Sequence, residues 1–455
     1  MTSLKVAGII WQAQVSSGWD IGVAMNNSLF PRSISEQSEI LGNLGEAGPE
    51  NFGVAICERN HQMLKCGIST FIGTLISTTM SNDSRSPTPD PLVPAAISFK
   101  GDLGMAFVED LIPEILGFNV WWPRDLLQLA LVSPSWLFYA RRLLYSKPNL
   151  RSFSACTRFA RSIQNNPHLQ SLIKGIELCP NDSRHLGFEE MHAIRVILGL
   201  DGLRSVTLGG EVAVSAERFL NCLAHSHRVR ELTIDGSLIA NSLSARPSFE
   251  WDEVIACKFS AVRKMRLVHL DLDIVNTSLY QLQLTELALE NVDIISGNLP
   301  WLLQNTTTLK HLRVSGESSR ELDEQVSLVL ESYRLESLHY QIGNSPSWNL
   351  LLFDRSFASA ASLRSLHLEG VRVDFEILST IHARCPAMEH LYICGRYVPL
   401  TLEEWVVFVA SGLFPALRML GLPEGTFGPP FTKWTTPSKP ALQKACSRRG
   451  VLLLD

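Results

Sequence analysis

Beyond residue 170 one arrangement of apolar and polar positions returns along the chain: aliphatic-x-x-aliphatic-x-aliphatic. In an extended segment the fourth and sixth positions of such a hexad share a face, because side chains alternate along a strand. The hexads are Ile173/Ile176/Leu178, Leu203/Val206/Leu208, Val229/Leu232/Ile234, Val262/Met265/Leu267 and Leu284/Leu287/Leu289. They continue as Leu309/Leu312/Val314, Leu335/Leu338/Tyr340, Leu363/Leu366/Leu368, Met388/Leu391/Ile393 and Leu417/Leu420/Leu422. Successive hexads start 22 to 33 residues apart, a spacing of about 27 residues that suits one supersecondary unit per repeat. Gly210, Gly236, Asn291, Gly316, Gly370 and Gly395 follow at a fixed offset. These residue types accept the positive φ that a sharp exit from a strand often needs. Between hexads the spacing turns helical, as in Phe219/Leu220/Leu223, Leu299/Leu302/Leu303 and Phe375/Leu378/Ile381. Each repeat is therefore expected to be a strand, a turn and a helix. Such a unit cannot bury its aliphatic face alone, so neighbours must stack. The prediction is an α/β solenoid of about ten repeats over 149–455, with parallel strands on the concave side and helices on the convex side.

The chain before it is of another kind. Residues 1–103 show no sustained period, and Ser81 to Pro94 hold four prolines, which remove backbone donors and favour extended conformations. A mostly disordered N-terminal region ending in a Pro-rich linker is expected there. Residues 104–148 then return to helical spacing, with Leu126, Leu129, Ala130, Val132 and Trp136 on one side and Asp125 placed as an N-cap. So short a module makes little core alone, and its apolar surface is expected to rest on the solenoid or on another protein.

The phrases "HARCPAMEHLYI" (382–393) and "NTTTLKHLRV" (305–314) resemble the irregular repeats of F-box/leucine-rich-repeat proteins, although the buried Asn that usually follows the strand is missing. The module resembles an F-box: "LIPEIL" (111–116) stands at the leucine-proline opening, and "RDLLQLALVSPSW" (124–136) with "ARRLLY" (140–145) matches the helices that follow. The resemblance implies docking on a Skp-type adaptor and, through it, a cullin ubiquitin ligase. By the same resemblance Leu111, Pro113, Ile115, Leu116, Leu126, Leu129, Val132 and Trp136 become candidates for the adaptor contact or for the core beneath it. The implied function is that of a substrate-recognition subunit of a Skp-cullin-F-box ubiquitin ligase, with the repeats binding a protein substrate whose identity is unknown. The alternative is a leucine-rich-repeat scaffold for protein interaction with no ligase association.

Composition narrows the partners. Lys and Arg number 40 against 45 Asp and Glu, so there is no basic surplus of the kind nucleic acid demands, and nucleic acid is not an expected partner. No apolar stretch reaches the roughly 20 residues of a spanning helix, so no membrane partner is expected either. The nine cysteines include no C-x-x-C pair and read as reduced thiols of a cytoplasmic and/or nuclear protein. No phosphate-binding loop, zinc-protease helix motif or nucleophile elbow occurs, so no enzyme and no cofactor are expected.

The alternation of each strand nominates the binding face. The fifth hexad positions give one column: Glu177, Thr207, Thr233, Arg266, Ala288, Arg313, His339, His367, Tyr392 and Gly421. Glu231, Asp235, Lys264, Glu286, Glu290, Ser337, Glu369 and His390 flank it. Within the column Arg266, Arg313, His339, His367 and Tyr392 are the candidate partner-binding residues of the concave face. His339 and His367 would stand roughly 5 Å apart on adjacent strands, within reach of one metal ion. No carboxylate or cysteine at their own level completes such a site, so a solvated recognition surface is expected.

Overall fold

The computed structural model describes residues 102–118, 121–181, 186–239, 246–276, 280–317, 320–343, 352, 360–395, 398–423, 425–426, 432–433 and 439–454. The expected N-terminal region and Pro-rich linker lie outside the described residues, apart from Asp102 and Leu103. The repeats lie in one compact unit, 107–455.

Its main sheet has twelve strands, each parallel to its neighbours. The first four are β1 (Asn149–Leu150), β2 (Gly175–Leu178), β3 (Ser205–Gly209) and β4 (Glu231–Asp235). The next five are β5 (Ser248–Trp251), β6 (Lys264–Val268), β7 (Asp271–Ile274), β8 (Glu286–Glu290) and β9 (Asp293–Ser296). Of these, β6 and β8 continue the main sheet, while β5, β7 and β9 form a separate parallel sheet. The main sheet resumes with β10 (His311–Gly316), β11 (Ser337–Ile342), β12 (Ser365–Glu369), β13 (His390–Cys394) and β14 (Met419–Gly421). A short antiparallel pair, β15 (Gly425–Thr426) and β16 (Thr432–Lys433), precedes the last strand, β17 (Leu452–Leu454), which pairs with β14.

The reason for this order is local. At each step two successive N–H groups before a strand donate to one carbonyl of the previous repeat: Arg204 and Ser205 to Lys174, Arg230 and Glu231 to Arg204, and so on to Arg418 and Met419 on Glu389. A neighbour thereby satisfies the backbone of each incoming strand. After the strands, backbone bonds such as Glu211 N–H to the Pro180 carbonyl and Asn291 N–H to the Ser315 carbonyl join adjacent turns. Gly210, Asn291, Gly370 and Gly395 have positive φ. Gly236 and Gly316 do not, but Gly236 is still needed because a Cβ there would meet the His269 carbonyl.

Every hexad residue from Ile173 to Leu420 is buried, with Leu417 the most open at 5%; only Leu422 is half-buried. At roughly 25 cal/mol per Å² of apolar surface, this stack of aliphatics is the main favourable term holding the repeats together. The expected strand, turn and helix hold for repeats such as β12 with Phe375–Arg384. Around β5, β7 and β9 a strand is added to the return segment: the helices Glu253–Lys258 and Leu299–Leu302 follow β5 and β9, while among the described residues β7 alone joins β6 to β8. Phe249, Trp251, Leu272 and Ile274 are buried while their neighbours Ser248, Glu250, Asp271 and Asp273 are not; that period of two defeats a helix.

The helical module comprises α1 (Asp102–Phe118), α2 (Pro123–Leu129) and α3 (Pro134–Ser146). Asp125 is not the cap of α2: the helix starts at Pro123 after Trp122, and Asp125 lies in its first turn, where proline's fixed φ favours position N1 and the acid suits the helix dipole. Ser133 caps α3 by accepting from the Trp136 N–H. The module has a small core of its own: Ile112, Leu116, Leu126, Ala130 and Ala140, with Trp121, Leu129, Trp136, Leu137, Tyr139 and Leu144 packed at its margin. It runs straight into β1, and Arg141 meets His168 at 2.6 Å beside the first repeat.

Candidate functional site

The open face of the main sheet carries one rank of fifth-position side chains. Arg313 is in register with His339, His339 with His367, and His367 with Tyr392. The His339 and His367 rings stack with centroids 4.0 Å apart and planes 8° from parallel. Tyr392 continues the stack at 5.6 Å. Its neighbour in the rank is Gly421, where a Cβ would come within 2.6 Å of the tyrosine ring, so the absence of a side chain leaves room for the phenol. Arg266 belongs to the same rank, separated from Arg313 by the buried Ala288.

The space above that alanine is filled by Glu290. Its carboxylate accepts from Arg266 Nε at 3.1 Å and Nη2 at 2.7 Å and lies 3.4 Å from Arg313 Nε. The Arg266 hydrogen bond, aided by the charges of Arg266 and Arg313, holds the carboxyl below its usual range. Burial, the adjoining His367 ring and the Arg313 guanidinium push the His339 imidazole down to about 4. Burial and Arg313 lower His367 as well, against the opposing pull of Glu369. Both imidazoles are therefore neutral near pH 7. Each has an Nε2 shielded from solvent that makes no hydrogen bond among the described residues.

One expectation for this face is overturned. Glu369, read from the sequence only as a flanking position, reaches the histidine pair: ligand atoms of His339, His367 and Glu369 all lie within 4.8 Å of one another. The overlooked signal is the His367-x-Glu369 spacing, which puts both side chains on one face of β12.

The charge pattern differs along the sheet. In the later repeats the residues that precede the strands alternate in sign and pair, Lys310 with Glu336 and Arg364 with Glu389. In the earlier ones the same positions are Lys174, Arg204, Arg230 and Arg263, all exposed and without an ion pair among the described residues. An open depression of about 300 Å³ lies beside them, lined in part by Lys174, Arg204 and Arg230.

The eight module residues singled out from the sequence fall into four groups. Leu116 and Leu126 are buried in the module's core, and Leu129 and Trp136 pack at its edge. Leu111 and Ile115 are half-buried, while Pro113 and Val132 are exposed. The fully buried residue of α1 is Ile112, which the sequence reading passed over. Trp122, Leu131, Val132 and Phe138 are 63%, 60%, 65% and 59% exposed; of these four, only Val132 had been selected. No periodicity argument finds them, since their exposure depends on which face of each short helix its neighbours cover.

This fold and face define a solenoid of stacked parallel strands, an arrangement that fits leucine-rich repeats. No family model matches the chain, and no curated protein matches it. Sixteen solved chains do; one is in the crystal structure of a TLR13–ssRNA13 complex, at 15% identity and a TM-score of 0.35, over 57% of this chain and 43% of that one. The chain thus spans less than half the length of that neighbour. The repeat class rests here on the register and period of the chain itself. Among the described residues no helix is long and apolar enough to cross a membrane.

Proposed function

We propose that the chain is a non-enzymatic protein-binding scaffold whose open sheet face captures a protein substrate and whose helical module docks a Skp-type adaptor of a cullin ubiquitin ligase. The observation that carries the docking half is the exposure of Trp122, Leu131, Val132 and Phe138 beside the small core of the module. Large apolar side chains left in water beside a core are the mark of a surface kept for a partner. The capture half is supported by the rank of Arg313, His339, His367 and Tyr392, since Tyr and Arg offer wide contact with a directional polar end.

The test is a pull-down of the purified chain with a Skp-family adaptor, using a known F-box protein as positive control. Wild type should retain the adaptor, and Val132→Asp and Phe138→Asp should release it while leaving the circular dichroism unchanged. Failure of wild type to retain any adaptor under conditions where the control does would sink the ligase reading and leave the scaffold.

A further inference from the structure

The His339–His367 pair has no role in the docking of the module, and its chemistry exceeds that of a plain contact surface. We propose that His339, His367 and Glu369 form a binding site for one divalent transition-metal ion of the zinc type, held by the two Nε2 atoms and the Glu369 carboxylate on the open face of the sheet.

Four observations support it. The donor set of two imidazoles and a carboxylate is one that zinc-type ions prefer, and it leaves a coordination position for water. Parallel pairing fixes the spacing: His339 and His367 are direct neighbours on β11 and β12, and Glu369 is two residues beyond His367 on the same face. The three ligand atoms already lie within 4.8 Å of one another. Zinc-to-ligand bonds of about 2.0–2.2 Å bring donors closer than that, so the stacked rings must splay and Glu369 must swing in. Such rotations are open to side chains on a solvent-facing strand. Finally, both Nε2 atoms are shielded and make no hydrogen bond among the described residues, and the one of His367 already faces the Glu369 carboxylate at 3.8 Å, whereas buried polar atoms are ordinarily hydrogen-bonded.

The surroundings complete the case. Gln341 hydrogen-bonds the His339 ring. Arg313, the nearest cation in the rank, is matched by Glu290 at 3.4 Å, so its repulsion of a bound ion is partly offset. Cys394 stands in register with Glu369, but burial first and Glu369 second push its thiol up. It is not among the three grouped donors. The site stands independently of ligase association, since neither adaptor nor substrate contributes a ligand.

Calorimetric titration of the full-length, tag-free protein with Zn²⁺ tests it, with Co²⁺ absorption as a second readout. The expected result is one site per chain. The double variant His339→Ala/His367→Ala should weaken it by more than the roughly 10–100-fold that loss of an outer hydrogen-bond partner costs. Glu369→Gln should weaken it less, and His390→Ala, on the same face of β13 but outside the cluster, should leave it unchanged. Thermal midpoints without metal verify that the variants fold, and the milder His367→Gln replaces the double variant if it does not. Absence of a stoichiometric site in wild type, unchanged binding when both histidines are replaced, or equal loss in His390→Ala would each overturn the proposal.

Discussion

At the scale of single residues, polar groups on the open face are set by the strands beside them. Glu290 occupies a position that a sequence reader assigns to a solvated acid. It is instead gripped by Arg266 and approached by Arg313 because the intervening side chain, Ala288, is too small to separate them. Its folded pKa is lowered, so the stabilisation it brings is fully present above the unfolded carboxylate value of about 4.3 and is lost as pH falls through the lowered folded value. Solvent screening limits this to about 0.5–1 kcal/mol. Glu290→Gln should therefore be less stable than wild type by that amount at pH 7, and the gap should close below about pH 4. Urea unfolding at a series of pH values measures it; a gap that widens on acidification would contradict the assignment.

At the scale of the element, a strand is legible by which of its faces tolerates change. Leu366 is fully buried, whereas Tyr392 is only half-buried on the opposite face. Leu366→Ala should cost about 2–5 kcal/mol through lost burial and the cavity left behind, while Tyr392→Ala should change stability by less than about 0.5 kcal/mol. Equilibrium denaturation of the two variants decides it. The reverse order would mean a register shifted by one residue, which exchanges every inward side chain for an outward one. Tyr340 is the exception among the inward positions. Its hydroxyl donates to the buried Asp323 of the helix Arg320–Ser332, a polar tie that no hexad pattern announces. Burial, joined by the Asp323 charge and hydrogen bond, pushes this phenol well above its ordinary value. Tyr340→Phe removes the donor while keeping the ring, and a loss of about 1–3 kcal/mol is expected in the same denaturation assay.

At the scale of the whole array, function depends on ranks that cross strands. Twelve parallel strands spaced ~4.8 Å apart give a row roughly 50 Å long, the reach of a protein surface rather than of a small molecule. Arg313 and Tyr392 sit three strands apart on it but are joined through His339 and His367, so a double-mutant cycle reads the coupling along the rank. Each Ala variant is expected to weaken capture of a bound substrate by about 1–3 kcal/mol while leaving the thermal midpoint in place. Binding curves on the singles and the double measure this. Unaltered affinity in the double variant would remove the rank from the interface.

Much of this architecture was written in the hexads, because the inward positions of a stacked repeat must be aliphatic and must recur at the period of the unit. The strands, their register and the fifth-position column all follow from that periodicity. Three things did not follow. The second sheet of β5, β7 and β9 is added to the return segments where short alternating segments such as Phe249/Trp251 bury one face, and runs of four residues are too brief for periodicity to announce. The exposed patch at Trp122, Leu131, Val132 and Phe138 depends on which sides of short helices are covered, and spacing alone does not say what covers them. The convergence of Glu369 on His339 and His367 joins two strands 28 residues apart in register. It was decided in three dimensions, because a one-dimensional pattern states which face a side chain takes but not how far its end group reaches across to the neighbouring strand.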